Sequence, residues 1–317
     1  MGNLREYEVH SASLLGLGFT PGEVHYAALQ SGVSYGFLRD NRRVPSSRLH
    51  TTMPDAYKAV GTKNGSNGVV VLSPDNNPLS ATQTFNKNMT HVVGDFPAGM
   101  FANRARLGMS TTFTPMITVS GYGNLFKNLY TMHGTATGDL TSWLISGDRN
   151  KFENVHMAGP MVAGQGTNAS YIGVDITGSE NYFKNCVFGS QSITRTQTAP
   201  NMRLAGTDNV FEDCIFLMAI AGNTTPYFIN FNNVTTMNAY FKRCLFYVFS
   251  ANHAAKAAVA FTFAAGASAD IVLDAGCSFC GVSELAVTGS LKYIWAPTVF
   301  AATADELNLI AINSATF

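Results

Sequence analysis

Charge is scarce in this chain. Only 13% of its 317 residues are Asp, Glu, Lys or Arg, and the 20 basic residues cancel the 20 acidic ones. A net charge of zero draws in neither nucleic acid nor an anionic membrane, and no RNA-binding motif is written into the chain. Long apolar runs are also missing; none reaches the roughly 18 residues of a membrane span. The opening stretch, MGNLREYEVHSASLLGLGF, places two Glu before a short apolar patch, which does not suit a secretory signal. Glu6 stands where a myristoylation motif needs Ser or Thr. Cysteine is sparse and odd in number, at five, so a disulfide framework is not expected and folding in a reducing cytosol is.

What the chain does have is Gly, Asn, Thr, Ser and 22 Phe. That mixture offers ample apolar surface to bury and many turn-formers, which points away from disorder and toward an all-β protein.

Repetition then decides the architecture. The phrases NLFKNLYTM, NKFENVHM, NYFKNCVF, NVFEDCIF and AYFKRCLF align on Phe126, Phe152, Phe183, Phe211 and Phe241. Upstream of each lies a short alternating strand closed by Gly or Asn: MITVSGYG, WLISGDR, VDITGSE, MRLAGTD and FINFNN. Ile117, Trp143, Val174 and Met202 each precede their Phe by the same interval, whereas the fifth unit carries an insertion, VTTM. Alternation implies one buried and one exposed face. Each unit therefore holds an alternating strand, a turn, a Phe strand, a tight corner and a third strand, with no helical period.

Three short strands per unit stack into a parallel β-helix; a propeller is the rival, but its blades need a fourth strand. Asn128, Asn154, Asn185, Asp213 and Arg243 fall at the corner, where the backbone must turn left-handed. Asn tolerates that best, so Arg243 predicts a distorted fifth corner. Cys186, Cys214 and Cys244 recur in one inward slot and should form a core ladder. Cys277 and Cys280 make a lone C-x-x-C, better suited to core packing than to zinc or redox chemistry.

Residues 55–63, DAYKAVGTK, read as a short helix with Asp as N-cap, placed to plug the open first coil. The expected organisation is an N-terminal arm over residues 1–50, the β-helix over 51–283 and a cap or tail over 284–317.

The order helix, VVVLSPDN, TFNKNMTHVVGD, then coils with N-x-F-[KE]-[ND]-C-x-F resembles the pectate-lyase-like right-handed β-helix superfamily over about residues 55–283. That resemblance implies a right-handed single-stranded parallel β-helix. The superfamily hosts polysaccharide lyases and hydrolases, phage tailspikes and capsid proteins, so it leaves function open.

The resemblance implies that polysaccharide-cleaving members place paired carboxylates, or an acid with Arg or Lys, on outward strand slots, and hydrolysis needs two facing carboxylates. The outward slot between the inward pair holds Thr118, Leu144, Asp175, Arg203 and Asn230 in successive coils. Asp175 and Arg203 are the weak catalytic candidates, Arg203 as base and Asp175 as its orienting partner. The plain alternative is a surface ion pair worth under about 1 kcal/mol. His133 with Asp139 is thinner general-base material, more simply a turn histidine beside an exposed acid. His156 takes an outward slot and reads as surface. No polygalacturonase-like signature and no G-x-S-x-G elbow occurs, and neither metal nor cofactor is expected.

The densest basic cluster, Arg39, Arg42, Arg43 and Arg48, is the candidate contact for an acidic partner surface. Together these features look like a non-enzymatic structural protein of a tailed-phage virion. The expectation is a capsid decoration or cement protein, homotrimeric as the resemblance to virion solenoids of this superfamily implies, made in the host cytoplasm and bound to the major capsid protein. A tailspike or depolymerase acting on host surface polysaccharide is the alternative, and a cellular carbohydrate-binding β-helix the third class.

Overall fold

The computed structural model describes residues 17–19, 21–30, 36, 40, 44–61, 67–95, 105–109, 114–133, 140–221, 226–233, 236–250, 257–286 and 293–295. Its strands fall into three parallel sheets. Among the described residues sheet A has 11 strands and sheets B and C have 8 each, and from Gly68 to Ala286 successive strands fall in the order A, B, C. The architecture is the parallel β-helix expected from the repeats, right-handed as the resemblance implies.

Why the chain coils this way is visible in one unit. Tyr182–Lys184 lies in sheet A, Val187–Arg195 in sheet B and Pro200–Leu204 in sheet C. The A-to-B corner is a single left-handed residue: φ is 58° at Asn128, 54° at Asn154, 52° at Asn185 and 55° at Asp213. The distortion expected at Arg243 is absent, its φ being 49°. Its side chain explains the tolerance. Arg243 Nε and Nη2 donate to Asp213 at 2.7 and 2.9 Å, and its backbone N–H donates to Asp274 Oδ1 at 2.7 Å. Neighbouring corners thus hold the arginine in a conformation it does not favour by itself.

The core is built from ladders of identical side chains. Phe126, Phe152, Phe183, Phe211 and Phe241 stack with successive centroid distances of 5.0, 4.6, 4.9 and 4.9 Å. A second stack, Phe188, Phe216, Phe246 and Phe279, runs beside it at 4.9, 4.5 and 4.5 Å and meets the first edge-on. Offset stacking and edge-to-face contact are both favoured geometries for aromatic rings. Sheet C supplies the third wall, with Ile117, Trp143, Val174, Met202, Ile229 and Phe261 in continuous register.

Cys186, Cys214 and Cys244 form the expected ladder, and Cys277 adds a fourth rung. Each thiol donates to a carbonyl of the preceding coil, from Phe152 O at 3.5 Å to Phe241 O at 3.3 Å. Cys280 is only half-buried, and all five cysteines are free.

The C-to-A turn carries a ladder that the repeats also encode. Asn150 N–H donates to Asn181 Oδ1 at 2.9 Å and Asn181 N–H to Asn209 Oδ1 at 3.0 Å, while Asn124 N–H donates to Asn150 Oδ1 at 2.9 Å. Each buried side-chain amide thereby satisfies the turn of the preceding coil. The coils approach so closely here that a Cβ on Gly206 would sit 1.8 Å from Gly178 O, which only glycine avoids.

The helix α1, Met53–Ala59, closes the N-terminal end, with Met53, Ala56 and Tyr57 in the main core. Its N-cap is Thr52, not Asp55; the Thr52 hydroxyl accepts from Asp55 N–H at 3.2 Å. Lys87 Nζ caps the other end, donating to Tyr57 O at 2.7 Å and Val60 O at 2.6 Å. Sheet A continues past this helix. Val24–Ala27 pairs in parallel with Gly68–Leu72, and Leu49–His50 pairs with Val24–Ala27. The solenoid sheet therefore begins inside residues 1–50. Leu17, Val44, Phe19 and Leu49 pack on the outer side of sheet A against Val69, Val71, Val93 and Leu125. Of the expected C-terminal cap, residues 287–292 and 296–317 lie outside the described residues.

Candidate functional site

The outer face of sheet C presents Thr118, Leu144, Asp175, Arg203 and Asn230 side by side, as the repeats predict. Asp175 and Arg203 are directly opposed in adjacent coils. Arg203 Nε donates to Asp175 Oδ1 at 2.9 Å and its Nη2 to Asp175 Oδ2, a two-point clamp. The pair is asymmetric: the Asp175 side chain is 6% exposed and the Arg203 side chain 37%. It is therefore not a plain surface ion pair, because its acid half is buried. The hydrogen bonds that Arg203 donates to Asp175 hold the guanidinium above its usual pKa, against partial burial. A guanidinium held charged in this way is a poor base, so the clamp orients and stabilises more readily than it abstracts a proton. Beyond the pair, Asn230 Nδ2 donates to Thr262 Oγ1 at 2.9 Å.

The remaining candidates do not join it. His133 is fully buried at a strand end, its Nδ1 lying 3.4 Å from the Tyr171 hydroxyl, so it is not a turn residue at the surface. Asp139, its proposed partner, lies outside the described residues. His156 occupies the outward slot of sheet B yet is buried; its Nε2–H donates to Gly189 O at 3.0 Å and its ring meets Tyr130 edge-on at 4.9 Å. Burial presses its pKa down to about 4, so it stays neutral. Arg39, Arg42 and Arg43 lie outside the described residues; Arg48 ends a 3-10 turn and stands near Glu23. No cluster of three His, Cys, Asp or Glu able to hold a metal occurs among the described residues.

Two features carry no repeat signal. Arg195 is fully buried, donating from Nη1 to Asn201 Oδ1 at 2.8 Å and from Nη2 to Tyr171 O at 3.3 Å, with burial lowering its pKa to about 10. It re-enters sheet B after a break in register between Ser190 and Thr194, so alternation does not forecast its position. The second is a chain of ionisable groups under the N-terminal cap, Glu23, His25 and His50. Residues of a non-repeating segment gave no reason to group them.

Along the outside of sheet A, Lys127, Glu153, Lys184, Glu212 and Lys242 follow one another in register, alternating in sign. Lys127 and Lys151 both reach Glu153 at 2.8 Å, and Arg243 reaches Glu212 at 2.9 Å.

No family model matches the chain, and no curated protein matches it in sequence. Solved structures do match in shape. A pectin methylesterase in complex with a hexasaccharide aligns at a TM-score of 0.54 and 11% identity, over 90% of this chain and 92% of that one. The pectate lyase Pel9A aligns at 0.52 and 13% identity, over 89% and 81%. The Aspergillus niger pectin methylesterase aligns at 0.52 and 11% identity, over 87% and 84%. The fold is the pectate-lyase-like parallel β-helix. At these identities the likeness establishes the scaffold alone, and sites on this β-helix have to be argued from the chain's own residues.

Proposed function

We propose that this β-helix is a non-enzymatic structural protein of a tailed-phage virion, a homotrimer decorating or cementing the capsid. The observation carrying this reading is how the outward charges are spent. The sheet A column neutralises itself coil by coil, Asp175 is buried in the Arg203 clamp, and Arg149 closes on Glu180 between turns at 2.7 Å. Such a surface locks coils together and makes a stiff, chemically quiet rod. Contact with the major capsid protein is assigned to the N-terminal segment with Arg39, Arg42, Arg43 and Arg48, where positive charge meets an acidic partner surface. Synthesis in the host cytoplasm and a final place on the virion surface follow from this reading.

The shared scaffold and the Asp175–Arg203 clamp favour one second reading, a tailspike or depolymerase acting on host surface polysaccharide. Release of reducing ends from that polysaccharide separates the two. The structural reading expects none above buffer. Release that disappears in Asp175→Ala, with coil structure intact by far-UV circular dichroism, would replace it with the second.

A further inference from the structure

Under the N-terminal cap, His25 Nδ1 and His50 Nε2 face each other at 3.0 Å, with the ring centroids 5.2 Å apart. On its other side His25 Nε2 lies 2.8 Å from Glu23 Oε1, and Glu23 Oε2 accepts from Gly61 N–H at 3.0 Å, just beyond α1. His25 is on Val24–Ala27 and buried; His50 is on Leu49–His50 and half-buried. These strands are the last two of sheet A and cover the edge of Gly68–Leu72, the run GVVVL. Among the described residues the other charges facing the cluster are Asp55 from α1, Arg48 from the 3-10 turn, and Lys87, which senses Glu23.

The gap between the two nitrogens holds one hydrogen. Two neutral rings, or one neutral and one charged, supply that single hydrogen and form an N–H···N bond. Two imidazoliums must put two hydrogens into the gap, converting the bond into a clash between like charges.

We propose that Glu23, His25 and His50 form a pH-sensitive latch, and that protonating both imidazoles releases the two terminal strands from sheet A. This goes beyond the structural role proposed above and does not depend on it. Release uncovers an unpaired apolar strand, Gly68–Leu72, of the kind that accepts a strand from another chain. Burial and the neighbouring His25 hold the His50 pKa below its ordinary value, with Asp55 opposing. A base with a depressed folded pKa is stabilised in place at neutral pH, and that stabilisation fades as pH falls below about 6.5.

Hydrogen exchange at individual amides tests the latch, with rates corrected for intrinsic pH dependence. Ser73 N–H donates to Ala27 O at 3.0 Å and Ala28 N–H to His50 O at 2.9 Å, so both report on the terminal strands. Tyr182 and Val210, bonded to Asn150 O and Asn181 O, report on the coils. Between about pH 7.5 and about pH 5, Ser73 and Ala28 should lose protection at least about tenfold relative to Tyr182 and Val210. His50→Gln keeps a donor at the gap but cannot charge, and should retain protection at the lower pH. Glu23→Gln removes the carboxylate that tolerates the charged rings and should move release to higher pH. Protection at Ser73 that persists to about pH 5 in the wild type overturns the latch. So does equal loss in wild type and His50→Gln.

Discussion

Removing one rung of the asparagine ladder should cost more than its exposure suggests, and two rungs should differ in a calculable way. Asn181 is fully buried and accepts Asn150 N–H at 2.9 Å, and Asn150 itself is 1% exposed. Asn181→Ala leaves that backbone N–H buried without an acceptor, a penalty of about 1–3 kcal/mol. Asn209 does more. It accepts Asn181 N–H at 3.0 Å, and its Nδ2 donates to Gly178 O at 3.0 Å and Gly206 O at 2.9 Å. Asn209→Ala strands those carbonyls as well, so its cost should exceed that of Asn181→Ala by about 1 kcal/mol or more. Both should be read from urea unfolding followed by Trp143 emission, since that indole is fully buried in a neighbouring coil, its Nε1–H bonded to Thr131 Oγ1 at 2.9 Å. Equal costs for the two variants, or a cost under about 0.5 kcal/mol for either, would show that the turn amides find other partners and refute the ladder reasoning.

Other substitutions probe the remaining layers. Phe183→Ala empties a site bracketed by rings at 4.6 and 4.9 Å and should cost about 3–5 kcal/mol in the same unfolding assay. Arg203→Gln should destabilise more than Asp175→Asn/Arg203→Gln, because the single change leaves a buried carboxylate without its clamp while the double change removes the charge too; urea midpoints rank them. Stability should also fall with acid. Burial depresses His91 and His156 to about 4. The unfolded chain takes up those protons from about pH 6.5 downward, so the loss runs from about 6.5 to about 4. It reaches on the order of 3 kcal/mol for each histidine, visible as a falling thermal midpoint.

The scaffold was legible because a β-helix forces repetition. An inward slot such as that of Phe183 must suit the same slot one coil above and below, so Phe, Cys and the corner Asn recur in phase. The asparagines at 124, 150, 181 and 209 are equally periodic, each standing two residues before a Phe, but periodicity alone does not separate a buried hydrogen-bond ladder from turn composition. Outward slots carry no such constraint. Asp175 and Arg203 were placed correctly as neighbours, yet the burial of the acid depends on packing around it, which alternation does not encode. Arg243 shows the same limit from the other side: corner preference argued against it, and contacts to Asp213 and Asp274 from adjacent coils outweigh that preference. The Glu23–His25–His50 chain joins positions 25 residues apart across a segment with no repeat at all.

The structural role is tested most directly by imaging the protein in the particle that carries it, at a resolution that separates coils. The account predicts many copies, grouped in threes upright on the capsid, with the segment containing Arg39, Arg42, Arg43 and Arg48 against the shell. A few copies at the tail tip, with polysaccharide along Asp175 and Arg203, or no copies on the particle, would contradict it.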